Sequence, residues 1–452
     1  MTATISSPVC SGNGKKRRFE RKNDQPGNPF SHRVPGQKIA IIPSFTLESG
    51  VEMQNVPVAY MSWGKLSVGG SNAMVVCHAL SGSADISDWW GPLLGPGKAF
   101  DTDKFFVICM NSLGSPYGTA SPVTVKNGNL ADGWYGADFP STTIRDDVRI
   151  HRLILDDLGV HQVAAVIGGS MGGMLTLEWA YFGKDYVRCI VPVATASHQS
   201  AWGIGWGEAQ RHAIYSDARY KDGRYSFHDP PVAGLEAARM AALLTYRSRD
   251  SLESRFGRDR SSKNAEAANG YETSLEMPIQ SNSNANAKSL HQLNGNQTRK
   301  EPSPNNGICV PVQSFFHESC IAFTPKDSGF AAQSYLRYQA KKFSNRFDSN
   351  CYIALTHKLD SHDLSRGRAD SIPEALSMIQ QPTLVLGIRS DGLYTLSEQE
   401  QIARCVPNAK LREIMSHDGH DAFLIESHQL NWLIIGFLFD NLGDIMQTPA
   451  IV

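Results

Sequence analysis

Apolar and polar positions fall into blocks along this chain, and between residues 38 and 193 the blocks change period repeatedly. "KIAIIPSFTL" and "VPVAYMSWG" predict two early strands. "AMVVCHAL", "FFVICMNSLG", "VAAVIGGS" and "VRCIVPVAT" are apolar on both faces, the pattern of buried parallel strands. Helical patterns lie between them: "TIRDDVRIHRLILDDLG", closed by Gly159, and "MLTLEWAYFG". After residue 371 the alternation returns. "QPTLVLGIRSD" and "AKLREIMSHDGHD" predict strands with polar residues at their C-terminal ends, and "HQLNWLIIGFLFDNL" a final helix. Strands alternating with helices predict an α/β fold, a mostly parallel doubly wound sheet covered by helices.

The middle of the chain departs from this rhythm. Residues 200–246 have an amphipathic helical pattern. From about 255 to 312 the chain is rich in Asn, Ser, Gln and Gly, as in "SNSNANAKSLHQLNGNQ", and cannot bury a core. A disordered polar insertion at a loop tip is therefore expected near 257–312. Helical patterning resumes near Ser334. At 452 residues the chain exceeds a typical single domain, which suits one large α/β domain carrying an insertion, or two domains. The organisation expected is a disordered N-terminal tail over 1–36, a first core segment over 37–195, an inserted helical cap over 196–373 that contains the polar stretch, and a second core segment over 374–452.

Composition excludes several partner classes. A formal net charge of -1 provides no global field for nucleic acid or a membrane surface. No apolar run approaches membrane-spanning length. The basic cluster Lys15, Lys16, Arg17, Arg18, Arg21 and Lys22 is accompanied by Glu20 and Asp24, which argue against an import presequence and for a solvated tail. The closing "TPAIV" matches no retention or peroxisomal address. The cysteines are scattered without a C-x-x-C pair, and Cys77 and Cys109 sit inside apolar runs, so reduced thiols and a cytoplasmic location are expected. No residues stand at metal-ligand spacing. His78 has no such partner and reads as structural, and neither metal nor cofactor is expected.

The chemistry concentrates in "VAAVIGGSMGGMLTLEWA", residues 163–180. Its "GGSMG" fits G-x-S-x-G, the strand-to-helix nucleophile elbow, around Ser170. Glycines two residues to each side remove the Cβ atoms that would collide with the flanking strand and helix. The bland reading is a Gly-rich turn with an ordinary serine. A strand-like run before it and a helix-like run after it favour the nucleophile. The amide of Met171 would then face a developing oxyanion. A serine needs a base and an orienting carboxylate, which in such folds follow in the order Ser, Asp, His at later strand ends. Asp391 lies just past one strand and His420 just past the next. Asp363, Asp370 and His417 are rivals with poorer strand context. A second oxyanion amide is expected in "VVCHALSGSAD", near Ala79 or at Leu80.

"IPSFTLESG", "VPVAYMSWG", "CHALSGSAD", "NSLGSPYGTASP", "GGSMGGMLTLEWA", "RFDSNCYIALT" and "SHDGHDAFL" together resemble homoserine O-acetyltransferases of the α/β-hydrolase fold, in their fungal form. The similarity runs over about residues 42–437 outside the polar insertion. It implies ping-pong acetyl transfer from acetyl-CoA, a co-substrate rather than a cofactor, to the side-chain hydroxyl of L-homoserine, in methionine biosynthesis. It maps the triad onto Ser170, Asp391 and His420. It matches the substrate-binding arginine of a cap helix to Arg211 in "GEAQRHAIY", and the aspartate after the catalytic histidine to Asp421. Arg211 would clamp the α-carboxylate and Asp421 hold the α-ammonium. Without the resemblance, Arg211 reads as a solvated helix charge. The family also implies a homodimer.

Relatives of this kind acylate serine or deacetylcephalosporin C, and some use succinyl-CoA, so a shared elbow and triad do not discriminate among acceptors. The alternatives are an L-serine O-acetyltransferase or another alcohol acetyltransferase, an esterase, and a hydrolase-fold ligand receptor without turnover. Bacterial members have no counterpart of the polar insertion.

Overall fold

Residues 18–260 and 329–448 are described in the computed structural model. Among them, nine strands form one sheet: β1 (Glu20–Lys22), β2 (Lys38–Thr46), β3 (Glu52–Trp63), β4 (Ala73–Cys77), β5 (Phe106–Met110), β6 (Val163–Gly169), β7 (Val187–Val193), β8 (Thr383–Ile388) and β9 (Ala409–Ile414), in the spatial order β1-β2-β3-β5-β4-β6-β7-β8-β9. The first three strands pair antiparallel, and β3 also meets β5 antiparallel. From β5 to β9 every pairing is parallel.

The parallel strands lie deepest because helices cover both sheet faces. Every residue of β4, β6 and β8 is buried. Alternate residues of β4 enter different cores, Ala73, Val75 and Cys77 on one side and Met74 and Val76 on the other. Cys77, Cys109, Cys189 and Cys351 are buried free thiols.

Helix α1 (Ile86–Trp90) follows β4, and α2 (Ile144–Leu158) precedes β6. Thr143 and Asp146 cap α2 reciprocally, and Gly159, at φ 86°, ends it. Helix α3 (Met171–Trp179) leaves β6 directly. Between β7 and β8 come α4 (Ala201–Tyr215), α5 (Val232–Tyr246), α6 (Arg249–Phe256), α7 (Ala331–Ser344), α8 (Ser349–Asp360) and α9 (Ile372–Ser377). After β8 follow α10 (Leu396–Cys405), α11 (Ala422–Ile425), α12 (Ser427–Asn441) and α13 (Gly443–Met446). No single helix among the described residues is long and apolar enough to cross a membrane.

The N-terminal expectation needs correction. The sequence places residues 18–36 in a disordered tail, yet β1 adds an edge strand to the sheet by pairing with β2. Arg21 donates to Asp157 Oδ2 (2.5 Å) and to Tyr60 Oη (2.9 Å), while Phe19 and Val34 join the core. A strand of three polar residues has no hydrophobic alternation to betray it; its ion pair to Asp157, distant in sequence, and the flanking apolar residues hold it. Residues 1–17 lie outside the described residues, as does the predicted polar insertion from 261 onward. Arg260 and Phe330, which flank that gap, meet in an antiparallel bridge.

Candidate active site

Four chain segments leave the C-terminal ends of parallel strands and converge, the place where open α/β sheets present their chemistry. Ser170 directly follows β6, at φ 60° and ψ −124°, a conformation that a residue with a Cβ rarely adopts. The turn is tight because its neighbours are bare. A Cβ on Gly168 would stand 2.2 Å from Gly172 O, and one on Gly172 only 2.1 Å from Cys77 O. The Ser170 amide donates to Val193 O, and the Ser170 carbonyl accepts from Gly173 N and Thr195 Oγ1. The strained residue is thus gripped from β7 and from its own helix. Met171 opens α3, where its amide has no intrahelical acceptor.

Asp391 follows β8 and His420 follows β9. His420 Nδ1 lies 2.7 Å from Asp391 Oδ2, and His420 Nε2 lies 2.8 Å from Ser170 Oγ. A carboxylate oxygen only accepts, so Nδ1 carries the proton and Nε2 accepts from the serine hydroxyl. The other Asp391 oxygen accepts from the amides of Leu393 and Tyr394, which fixes the carboxylate. All three side chains are buried. Burial works against a charged imidazole, but the Asp391 carboxylate outweighs it and raises the His420 pKa above its ordinary value. Gly419, at φ 74°, makes the approach possible: a Cβ there would meet Ser248 N at 2.5 Å. The rings of Phe423, Tyr394 and Tyr246 surround the imidazole at centroid distances of 5.2, 5.4 and 6.0 Å.

Ser170 and His420 open into a cavity of about 310 Å³ that is also lined by Leu80, Tyr246 and Asp421. Asp421 Oδ2 lies 3.0 Å from Arg247 Nε, and Arg247 Nη1 donates to Asp418 Oδ1 at 3.0 Å. Burial raises the Asp421 carboxyl pKa, with Arg247 opposing it most strongly. Arg255 and Ser251 also donate to Asp418, so both ends of α6 are stitched to the histidine loop.

Arg211, expected to clamp the substrate carboxylate, does not itself line this cavity. Its side chain is buried on α4 between Asp360 Oδ2 (2.8 Å) and Glu208 Oε2 (2.9 Å), and it does not line the space around Ser170. Two carboxylates pair with its guanidinium, while its Nη1 is buried without a hydrogen-bond partner. Arg239 on α5 lines the cavity instead. Its Nε and Nη1 are buried without a hydrogen-bond partner, and its guanidinium lies 4.6 Å from the Phe343 ring centroid and 5.4 Å from that of Tyr246. The sequence carried a signal. "VAGLEAARMAALLTY" is an apolar helix with only Glu236 and Arg239 charged, and a cation on such a helix needs a reason. Glu236 has one, accepting from Ser344 Oγ.

An oriented serine, an acceptor-ready histidine and a buried aspartate can perform nucleophilic acyl transfer. Among the described residues no cluster of His, Cys, Asp and Glu has the form of a metal site.

Residues 72–427 match the family described as the alpha/beta hydrolase fold. Homoserine O-acetyltransferase FUB5 of Gibberella fujikuroi is 68% identical over 447 residues, covering 99% of this chain and 98% of its own. Homoserine O-acetyltransferase of Emericella nidulans is 54% identical, over 96% of this chain and 93% of its own. The crystal structure of homoserine O-acetyltransferase from Bacillus anthracis superposes with a TM-score of 0.69 over 89% of this chain and 97% of its own, at 22% identity.

Proposed function

The chain belongs to the homoserine O-acetyltransferases of the alpha/beta hydrolase fold, an acyltransferase family, and on that premise we propose that it moves an acetyl group from acetyl-CoA to the side-chain hydroxyl of L-homoserine through an acetyl-Ser170 intermediate. One observation carries the reading: the cavity at the Ser170 hydroxyl is also lined by Arg239, whose Nε and Nη1 have no hydrogen-bond partner, and by the Asp421 carboxylate. An α-amino acid offers a carboxylate and an ammonium to match.

His420 Nε2 takes the Ser170 proton as Oγ attacks the thioester carbonyl. The amides of Met171 and Leu80 hold the oxyanion of the tetrahedral intermediate. The intermediate collapses, His420 returns the proton to the departing thiolate, and CoA leaves. Homoserine then binds with its carboxylate on Arg239 and its ammonium on Asp421. His420 takes the hydroxyl proton as that oxygen attacks the acetyl ester, and returns the proton to Ser170 Oγ when O-acetylhomoserine is released. Helices α4 to α8 roof the site and exclude water, which otherwise competes for the ester. The product carries a good leaving group on its γ-carbon, as methionine biosynthesis requires of an activated homoserine.

The test compares homoserine, serine and water as acceptors in the wild-type enzyme and in Arg239→Ala and Arg211→Ala. Serine is one methylene shorter, so homoserine should be favoured by about 10-fold or more. Arg239→Ala should spare acetylation of Ser170 but lower transfer to homoserine by about 10²–10³-fold, because acetyl-CoA carries no α-carboxylate. Arg211→Ala should lower the melting temperature more than the transfer rate. A preference for serine would refute the acceptor, and an unimpaired Arg239→Ala would refute the clamp.

A further inference from the structure

The turn that carries Leu80 is held from beneath by His78. Gly82 N–H donates to Ala79 O at 2.9 Å and closes the turn. His78 Nδ1 lies 2.8 Å from the same oxygen. Its Nε2 lies 2.9 Å from the backbone nitrogen of Ser112, just beyond β5. A backbone N–H can only donate, so Nε2 accepts and Nδ1 carries the proton that goes to Ala79 O. Burial pushes the His78 pKa down to about 4, so the ring stays neutral and keeps this tautomer at working pH. The imidazole is fully buried and does not touch the cavity.

Ala79 C=O and Leu80 N–H are opposite ends of one planar trans peptide, so fixing the oxygen fixes the direction of the N–H. Two donors, Gly82 N–H and His78 Nδ1–H, occupy both lone pairs of that oxygen. From this arrangement we propose that His78 is a positioning residue for the oxyanion hole: through the Ala79–Leu80 peptide it aims the Leu80 amide at the charge that develops on the acyl oxygen. The bond also strengthens on demand. Negative charge at the Leu80 N–H polarises the peptide and draws its carbonyl closer to the imidazole proton. The inference rests on the reading of Ser170 as the acetyl acceptor and Leu80 as an oxyanion donor.

Two substitutions separate this role from plain packing. In His78→Asn the side-chain amide nitrogen can replace Nδ1–H toward Ala79 O, while the acceptor for Ser112 is lost. In His78→Gln the longer amide can accept from Ser112 but reaches past Ala79 O. The measurement is the pre-steady-state release of CoA from acetyl-CoA by the full chain, with KM for acetyl-CoA and the melting temperature taken alongside. His78→Gln should slow acetylation by about 10-fold or more, up to the 10²–10³-fold that loss of one oxyanion donor costs, with KM little changed. His78→Asn should keep a rate within a few-fold of wild type even where its melting temperature falls. A wild-type rate in His78→Gln, or rates in both variants that simply follow their melting temperatures, would overturn the proposal. Wild-type protein with ¹⁵N-labelled histidine gives a second reading that needs no substitution. The His78 Nδ1–H resonance should move downfield when a boronic acid forms a tetrahedral adduct on Ser170, and an unmoved resonance would overturn the proposal. If wild-type enzyme released no CoA until homoserine was added, the acetyl-serine reading would fall, and the adduct spectrum would still decide the role of His78.

Discussion

His420 sits between two opposing forces, burial that disfavours its charged form and a carboxylate 2.7 Å away that favours it. The carboxylate wins, and the sign has a kinetic consequence. Only the neutral imidazole can take a proton from Ser170, so activity should fall as pH drops through a pKa above the ordinary histidine value of ~6.5. Asp391→Asn should move that acid limb downward and reduce turnover by about 10³–10⁴-fold, since the asparagine neither stabilises the imidazolium nor enforces its tautomer. A pH profile of acetyl-CoA turnover reads both effects; an acid limb unmoved in the variant would contradict the coupling. Ser170, Asp391 and His420 were legible because each ends an apolar run, and such signals are local. Arg239 is not legible in this way, because which cap arginine faces the cavity depends on how helices distant in sequence stack over the sheet. A short motif around Arg211 held no information on Asp360, the partner that occupies its charge.

At the scale of elements, the roof is fastened to the core by charge as well as by apolar contact. Lys358 on α8 is fully buried and donates to Asp147 Oδ2 (2.5 Å) on α2 and to Leu113 O (2.7 Å). Burial lowers the Lys358 pKa and raises that of Asp147, and each partner opposes the shift of the other. Removing one member leaves a buried charge without its counterion. Lys358→Met should cost about 3–5 kcal/mol of stability, and Asp147→Asn in the same chain should restore part of it. Chemical denaturation measures the two; equal stability of Lys358→Met and wild type would contradict a working pair. The parallel strands were readable as elements because a strand buried on both faces is apolar throughout. β1 was unreadable for the converse reason: three polar residues at a sheet edge take their stability from Tyr60 and Asp157, which lie far along the chain.

Across the whole molecule, a sheet with the triad at its strand ends carries a roof inserted between β7 and β8, and the reacting groups meet where the two parts touch. Tyr246 and Arg247 belong to the roof, His420 and Asp421 to the sheet, and Gly419 packs directly on the backbone between the first two and Ser248. The bridge between Arg260 and Phe330 brings together the chain ends that flank the polar stretch. Replacing residues 266–305 with a short Gly/Ser link should therefore leave turnover and melting temperature nearly unchanged, because closure entropy depends only weakly on loop length. A large loss of either would show that the stretch contributes to the roof.

Acyl transfer through Ser170 requires a covalent acetyl group on that serine, formed before any acceptor binds. Mass spectrometry of the protein mixed with acetyl-CoA alone measures it directly, with released CoA quantified in parallel. One added acetyl group on the peptide containing Ser170, about one CoA released per chain in a rapid first phase, and loss of both in Ser170→Ala are the expected results. Acetyl label that persists in Ser170→Ala, or CoA release that begins only when homoserine is added, would contradict acyl transfer through Ser170.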